Sequence, residues 1–123
     1  MNDRGFRKQL DEWSAQWVAA FNRGDAKACA ALYSDDVVAL YPEVAPVRGQ
    51  AELEKGYQAA RNSGIKFTSI TTEHCEADGR IGYAVLTAHS NRGSVPALLT
   101  FRKDNHGNWL ACCEAVFPNA GTT

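Results

Sequence analysis

The sequence predicts a single α+β domain, with helices first and an antiparallel sheet after them. Three observations carry this. Apolar residues recur at steps of three and four early in the chain. The apolar period changes to two after Ile65, and three turn-rich stretches divide the rest of the chain into four strands. The 123 residues leave room for one domain with one core, and no internal repeat or linker divides them. We expect a core over about residues 6–117 and a loose polar tail at 118–123.

The first helix is predicted over residues 3–22. Phe6, Leu10, Trp13, Trp17, Ala20 and Phe21 form one apolar stripe along it. Gly24 can end it in the left-handed conformation, because it lacks a Cβ. Asp25 can then accept from the free amides of a second helix over 26–32. Ser34-Asp35-Asp36 breaks that helix, and the apolar run Val37 to Tyr41 reads as a strand. Pro42 and Pro46 bracket a loop that closes at Gly49. A third helix is predicted over 51–62, with Leu53, Tyr57 and Ala60 on one side.

Strands are predicted at 65–76, 81–91, 95–103 and 109–117. If Asp78 and Gly79 are the two turn residues of the first hairpin, paired positions sum to 157. Ile70, Thr72 and His74 then share a face with Tyr83, Val85, Thr87 and His89. Neither face is plainly polar, so both are expected to be covered, one by helices and one by a second subunit.

Composition excludes several function classes. A formal net charge of -1 leaves no basic excess for nucleic acid or an anionic membrane surface. No apolar run is long enough to span a bilayer, and no secretory h-region is visible at the N-terminus. Cys29, Cys75, Cys112 and Cys113 form no Cys-x-x-Cys, and His74, His89 and His106 lack zinc-site spacing. We read the cysteines as small reduced core residues of a cytoplasmic protein, with Cys112 and Cys113 on opposite faces of one strand. No metal motif, phosphate loop, dinucleotide fingerprint or Ser-His-Asp arrangement occurs, so no cofactor is expected.

The stretch Asn22-Arg23-Gly24-Asp25, the stretch Leu32-Tyr33-Ser34-Asp35-Asp36-Val37, the loop closing at Gly49 and the terminal Gly107-Asn108-Trp109 resemble one known family. It is the SnoaL-like and ketosteroid-isomerase-like branch of the nuclear transport factor 2-like superfamily. The resemblance implies a cone-shaped fold, with three N-terminal helices packed on a curved, mostly antiparallel sheet that encloses an apolar pocket. It further implies a homodimer through the outer sheet face. Members include isomerases, cyclases, dehydratases, hydrolases and non-catalytic binding proteins. The isomerase chemistry uses a carboxylate base and two oxyanion donors, a tyrosine and a protonated carboxylic acid. The resemblance places those roles at Tyr41, Trp17 and near Leu99, so all three are replaced here. A steroid isomerase of the usual mechanism is not expected.

Glu114 is the most informative residue, because the run Leu110 to Phe117 around it is otherwise apolar. An ionised carboxylate there needs a partner or a pocket. It either lines the pocket with a raised pKa, pairs with an arginine across a dimer face, or lies on an exposed edge. His89 either lines the pocket as a proton-transfer group or sits exposed at a strand end. Trp13, Trp17, Tyr41 and Tyr57 form an aromatic set that either approaches the cavity or simply packs the core. Glu43 is placed at the presumed mouth.

The expected function is binding of a small hydrophobic molecule, or cofactor-independent chemistry of isomerase, cyclase or hydrolase type on it. Glu114 or His89 would then be the base and Tyr41 the donor. The alternative is a non-catalytic dimeric binding or interaction module.

Overall fold

The computed structural model describes residues 3–118. Helix α1 (Asp3–Asn22) is followed by α2 (Ala26–Ala30), β1 (Tyr33–Leu40), β2 (Val47–Arg48) and α3 (Gly49–Asn62). Four strands complete the chain: β3 (Phe67–Asp78), β4 (Ile81–Ser90), β5 (Gly93–Lys103) and β6 (Trp109–Val116). They form one mixed six-stranded sheet in the order β2-β1-β6-β5-β4-β3. Only β1 and β6 run parallel; the other neighbouring pairs are antiparallel. Two helices precede the first strand, and α3 enters after β2, so the expectation of three N-terminal helices is corrected. The expected loose tail lies, beyond Pro118, outside the described residues.

The stripe of α1 packs as its spacing dictates. Phe6, Leu10, Trp13, Trp17, Ala20 and Phe21 are all buried. Gly24 adopts φ 82°, and Asp25 accepts from the Ala28 amide at 3.0 Å. Asn22 then holds the end of α1 to the sheet. Its side chain donates to the Phe67 carbonyl and accepts from the Phe67 amide, as a neighbouring strand would. Midway along the helix, Trp13 Nε1 donates to the Leu32 carbonyl at 2.9 Å. The same carbonyl accepts from Ala111 N of β6.

The first hairpin departs from the expected register. Asp78 pairs with Ile81, so Gly79 and Arg80 are the turn residues. Gly79 has φ 65° and takes the first central position, which type II′ turns reserve for glycine. Irregularities between Phe67 and Ser69 and between Thr72 and His74 shift the pairing further. A bulge adds one residue to one strand and so exchanges its faces. Ile70 and Thr72 therefore align with Ala88 and Leu86, not with Thr87 and Val85.

β1 begins at Tyr33, four residues before the expected start, because another irregularity, between Tyr33 and Val38, absorbs Ser34-Asp35-Asp36. Strand β2 is not predicted by the sequence, since two residues carry too little pattern to show. A further bulge makes Cys112 an extra residue between Ala111 and Cys113, which pair with Phe101 and Thr100. Cys112 is half-buried with Sγ 3.2 Å from Thr100 Oγ1, and Cys113 is exposed. Only Cys29 and Cys75 are core thiols. Burial pushes the Cys29 thiol up to about 12, so it is unreactive at neutral pH.

Gly82 lies where helix α1 packs closely on the sheet. A Cβ built there would meet Phe6 Cζ at 2.9 Å and the Glu76 carbonyl at 3.0 Å. The backbone oxygen has no rotamer by which to yield. Gly82→Ala is therefore expected to destabilise the fold by about 1–3 kcal/mol, as overpacking does. An unchanged urea midpoint would contradict this packing.

Candidate functional site

A cavity of about 560 Å³ lies between the helices and the inner face of the sheet. It falls within the ~300–1,000 Å³ typical of small-molecule sites. Helix α1 contributes Trp13, Trp17 and Phe21, and α3 contributes Leu53, Tyr57 and Ala60. The sheet supplies residues such as Ile70, Leu86, Ala88, Leu99 and Val116. The exposed Val44 and Ala45 stand in the wall, so the loop after β1 forms its rim. Among the residues lining the cavity, Glu114 alone can carry a formal charge at neutral pH.

Glu114 reaches the cavity because of the Cys112 bulge. Without the extra residue, period-two alternation from the buried Ala111 would send position 114 outward. The bulge turns it inward, and its exposure falls to 6%. Glu114 pairs across the sheet with Leu99, the position near which the family resemblance places a carboxylic acid. A carboxyl group is thus present in this part of the wall, one strand away.

Three tyrosine hydroxyls surround that carboxyl group. Tyr33 donates to Oε1 at 2.5 Å, and Tyr41 donates to Oε2 at 2.6 Å. Tyr57 donates to the Tyr33 hydroxyl at 2.8 Å. Each tyrosine comes from a different segment: the start of β1, the residue after β1, and α3. Gln50 fixes the first by donating from Nε2 to the Tyr33 carbonyl at 2.7 Å. Burial raises the Glu114 pKa, and the tyrosine hydrogen bonds act against that rise. Burial, and after it the facing Glu114 charge, pushes all three phenols above their ordinary range. The phenols are therefore neutral donors, and Glu114 is the group that can exchange a proton.

The chemistry open to this set is specific. Ionised, Glu114 accepts only, so Tyr33 and Tyr41 must both turn their protons toward it. If Glu114 takes a proton from a bound molecule, that demand falls away. Tyr41 is then free to donate toward negative charge developing on the ligand.

The other candidate residues divide. Trp13, Trp17 and Tyr57 line the cavity with Glu114 and Tyr41. Trp17 stacks on Phe21 and meets Tyr57 and Phe67 edge to face. Its Nε1 is enclosed with no hydrogen-bond partner among the described residues, so Trp17 offers the cavity ring surface and no accessible donor. His89 is corrected: it lies on the opposite face of the sheet. Its neighbour Ala88 points inward, and alternation sends His89 out, where it meets Thr71 at 3.0 Å and Ser94 at 2.7 Å. Glu43 is exposed and does not line the cavity, unlike Val44 and Ala45 beside it.

Sequence reasoning missed Tyr33 as a site residue. The local signal was weak, because Tyr33 follows the apolar Ala30-Ala31-Leu32 but directly precedes Ser34-Asp35-Asp36.

The raised Glu114 pKa makes stability depend on pH. The folded chain holds this proton to higher pH than the unfolded chain, where glutamate titrates near ~4.3. The contribution of Glu114 is thus full below that value and is lost as pH rises through the folded pKa. The stability of the native chain relative to Glu114→Gln should fall as pH rises from 4.5 to 8. Urea midpoints of both across that range check it; a constant difference would contradict a raised pKa.

Comparison with known proteins places this geometry in a family. The SnoaL-like domain matches residues 15–111. No curated protein sequence matches the chain. Among solved structures, a domain of unknown function with a cystatin-like fold from Nostoc punctiforme superposes with a TM-score of 0.81 at 14% identity. That match covers 94% of this chain and 78% of the other. A nuclear transport factor 2-like protein with a cystatin-like fold from Novosphingobium aromaticivorans gives 0.70 at 19% identity, covering 95% and 84%. A ketosteroid isomerase-like protein from Erwinia carotovora atroseptica gives 0.66 at 21% identity, covering 83% and 87%. These likenesses establish the fold, and the family match extends over most of the chain: the protein belongs to the SnoaL-like domain family.

Proposed function

We propose that this protein binds a small hydrophobic molecule in the cavity, with Glu114 as the acceptor for the one polar group that the ligand brings inside. The observation that carries the proposal is a single carboxyl group, held by tyrosines, in an otherwise apolar cavity of ligand size. An isolated polar feature in an apolar wall orients a ligand as well as holding it. Burying a carboxyl group costs stability, so one placed in a cavity wall points to a role in binding or chemistry. Proton transfer is the chemistry the set can perform, with Glu114 as base and Tyr41 as the donor released when Glu114 is protonated.

Thermal-shift measurement against a panel of bicyclic neutral, cationic and anionic compounds tests the binding claim. A ligand that binds the folded state raises Tm by mass action. We expect at least one bicyclic compound to raise Tm in proportion to the logarithm of its concentration. Ala88→Trp should abolish the shift, because Ala88 stands in the cavity wall. A panel without effect, or shifts unchanged in Ala88→Trp, would contradict the assignment.

A further inference from the structure

We infer that the ligand of this cavity is a hydrophobic amine, bound as its ammonium ion against Glu114 and the surrounding aromatic rings. This rests on the binding role proposed above and names its substrate class.

Hydrogen-bond direction is the first argument. With Glu114 ionised, every polar proton of the cluster is committed. Tyr33 and Tyr41 donate to the two carboxylate oxygens, and Tyr57 donates to Tyr33. A tyrosine has one hydroxyl proton, so none remains for a ligand. Lone pairs do remain. A carboxylate has about four acceptor sites, and two are filled here. The Trp17 Nε1 proton is enclosed, and the Trp13 Nε1 proton is given to Leu32. In this ionised state the cavity therefore presents acceptors. A carbonyl oxygen or a carboxylate would find no donor; a ligand N–H or O–H would find several acceptors.

Charge is the second argument. Among the described residues the ion pairs are Arg23 with Asp25, His74 with Glu76 and Arg102 with Asp36. None involves Glu114, and among the described residues no lysine, arginine or histidine lines the cavity. A buried carboxylate without a cation is costly, and a cationic ligand would remove that cost. Of the two donor classes, ammonium supplies the missing charge and a hydroxyl does not.

The walls supply the third argument. Trp13, Trp17, Phe21, Tyr33, Tyr57 and Phe67 place aromatic rings around the cavity. Ring faces attract organic cations, and more strongly where water is excluded. The rest of the wall is aliphatic, which fits the apolar body of such an amine.

The test compares 2-naphthylmethylamine with 2-naphthalenemethanol, which match in shape and differ in charge. Titration calorimetry at pH 7.5 with the native chain should show the amine binding at least ten-fold tighter. In Glu114→Gln that preference should fall below about three-fold. The comparison on the native chain stands even where the variant fails to fold. Equal or tighter binding of the alcohol would overturn the amine assignment and leave the cavity reading standing. A preference that survives Glu114→Gln would overturn the role of Glu114 in it. Binding of neither compound would overturn the amine assignment; the thermal-shift panel then decides the cavity reading separately.

Discussion

The buried carboxyl group of Glu114 is the constraint around which the functional part of this fold is arranged. Moving a carboxylate out of water is expensive, and hydrogen bonds to the charged form recover part of the cost. Here two phenols bond the carboxylate directly and a third supports one of them. Meeting that requirement brings the start of β1, the residue after β1 and helix α3 together against β6. A contact between side chains thereby joins the two ends of β1 to helix α3 and to the distant strand β6. The cavity is the space that this arrangement leaves between α1, α3 and the inner sheet face.

Local irregularities in the sheet create the site. The Cys112 bulge turns Glu114 inward, and the irregularity in β1 separates Tyr33 from the regular alternation of Val38 to Leu40. The irregularity between Thr72 and His74 brings Ile70 and Thr72 to the inner face, where strict alternation from the hairpin would not put them. Bulges of this kind bend strands and re-aim side chains, and they occur near binding sites for that reason. The outer face shows the opposite character. His74, Glu76 and Tyr83 bond one another in solvent, and Leu40, Ala115, Leu98 and Val85 form an apolar row across four paired strands.

Most of the fold is legible in the sequence. The stripe of α1, the Asp25 cap and the turns between the last four strands rest on local physics: helical period, free amides and glycine conformations. The elements obey those rules. Register is different, because one inserted residue exchanges faces and bulges leave little local trace. For that reason the sequence leaves His89 open as a cavity residue and does not single out Tyr33. Glu114 is legible on other grounds. A lone charge in an apolar run is anomalous wherever its strand is paired, and the anomaly survives errors of register. Its three partners are not legible as a set, since they converge only through the tertiary fold.

The central claim is that Glu114 is a buried, cation-free carboxyl group held ready for a ligand. Carbon-13 NMR of the glutamate side-chain carboxyl carbons, with Glu114 assigned by its absence in Glu114→Gln, reads that state directly. The account predicts that in the ligand-free protein Glu114 titrates above the ordinary glutamate range, and that saturating 2-naphthylmethylamine moves its titration downward. Titration at the ordinary glutamate value, unchanged by the amine, would contradict it.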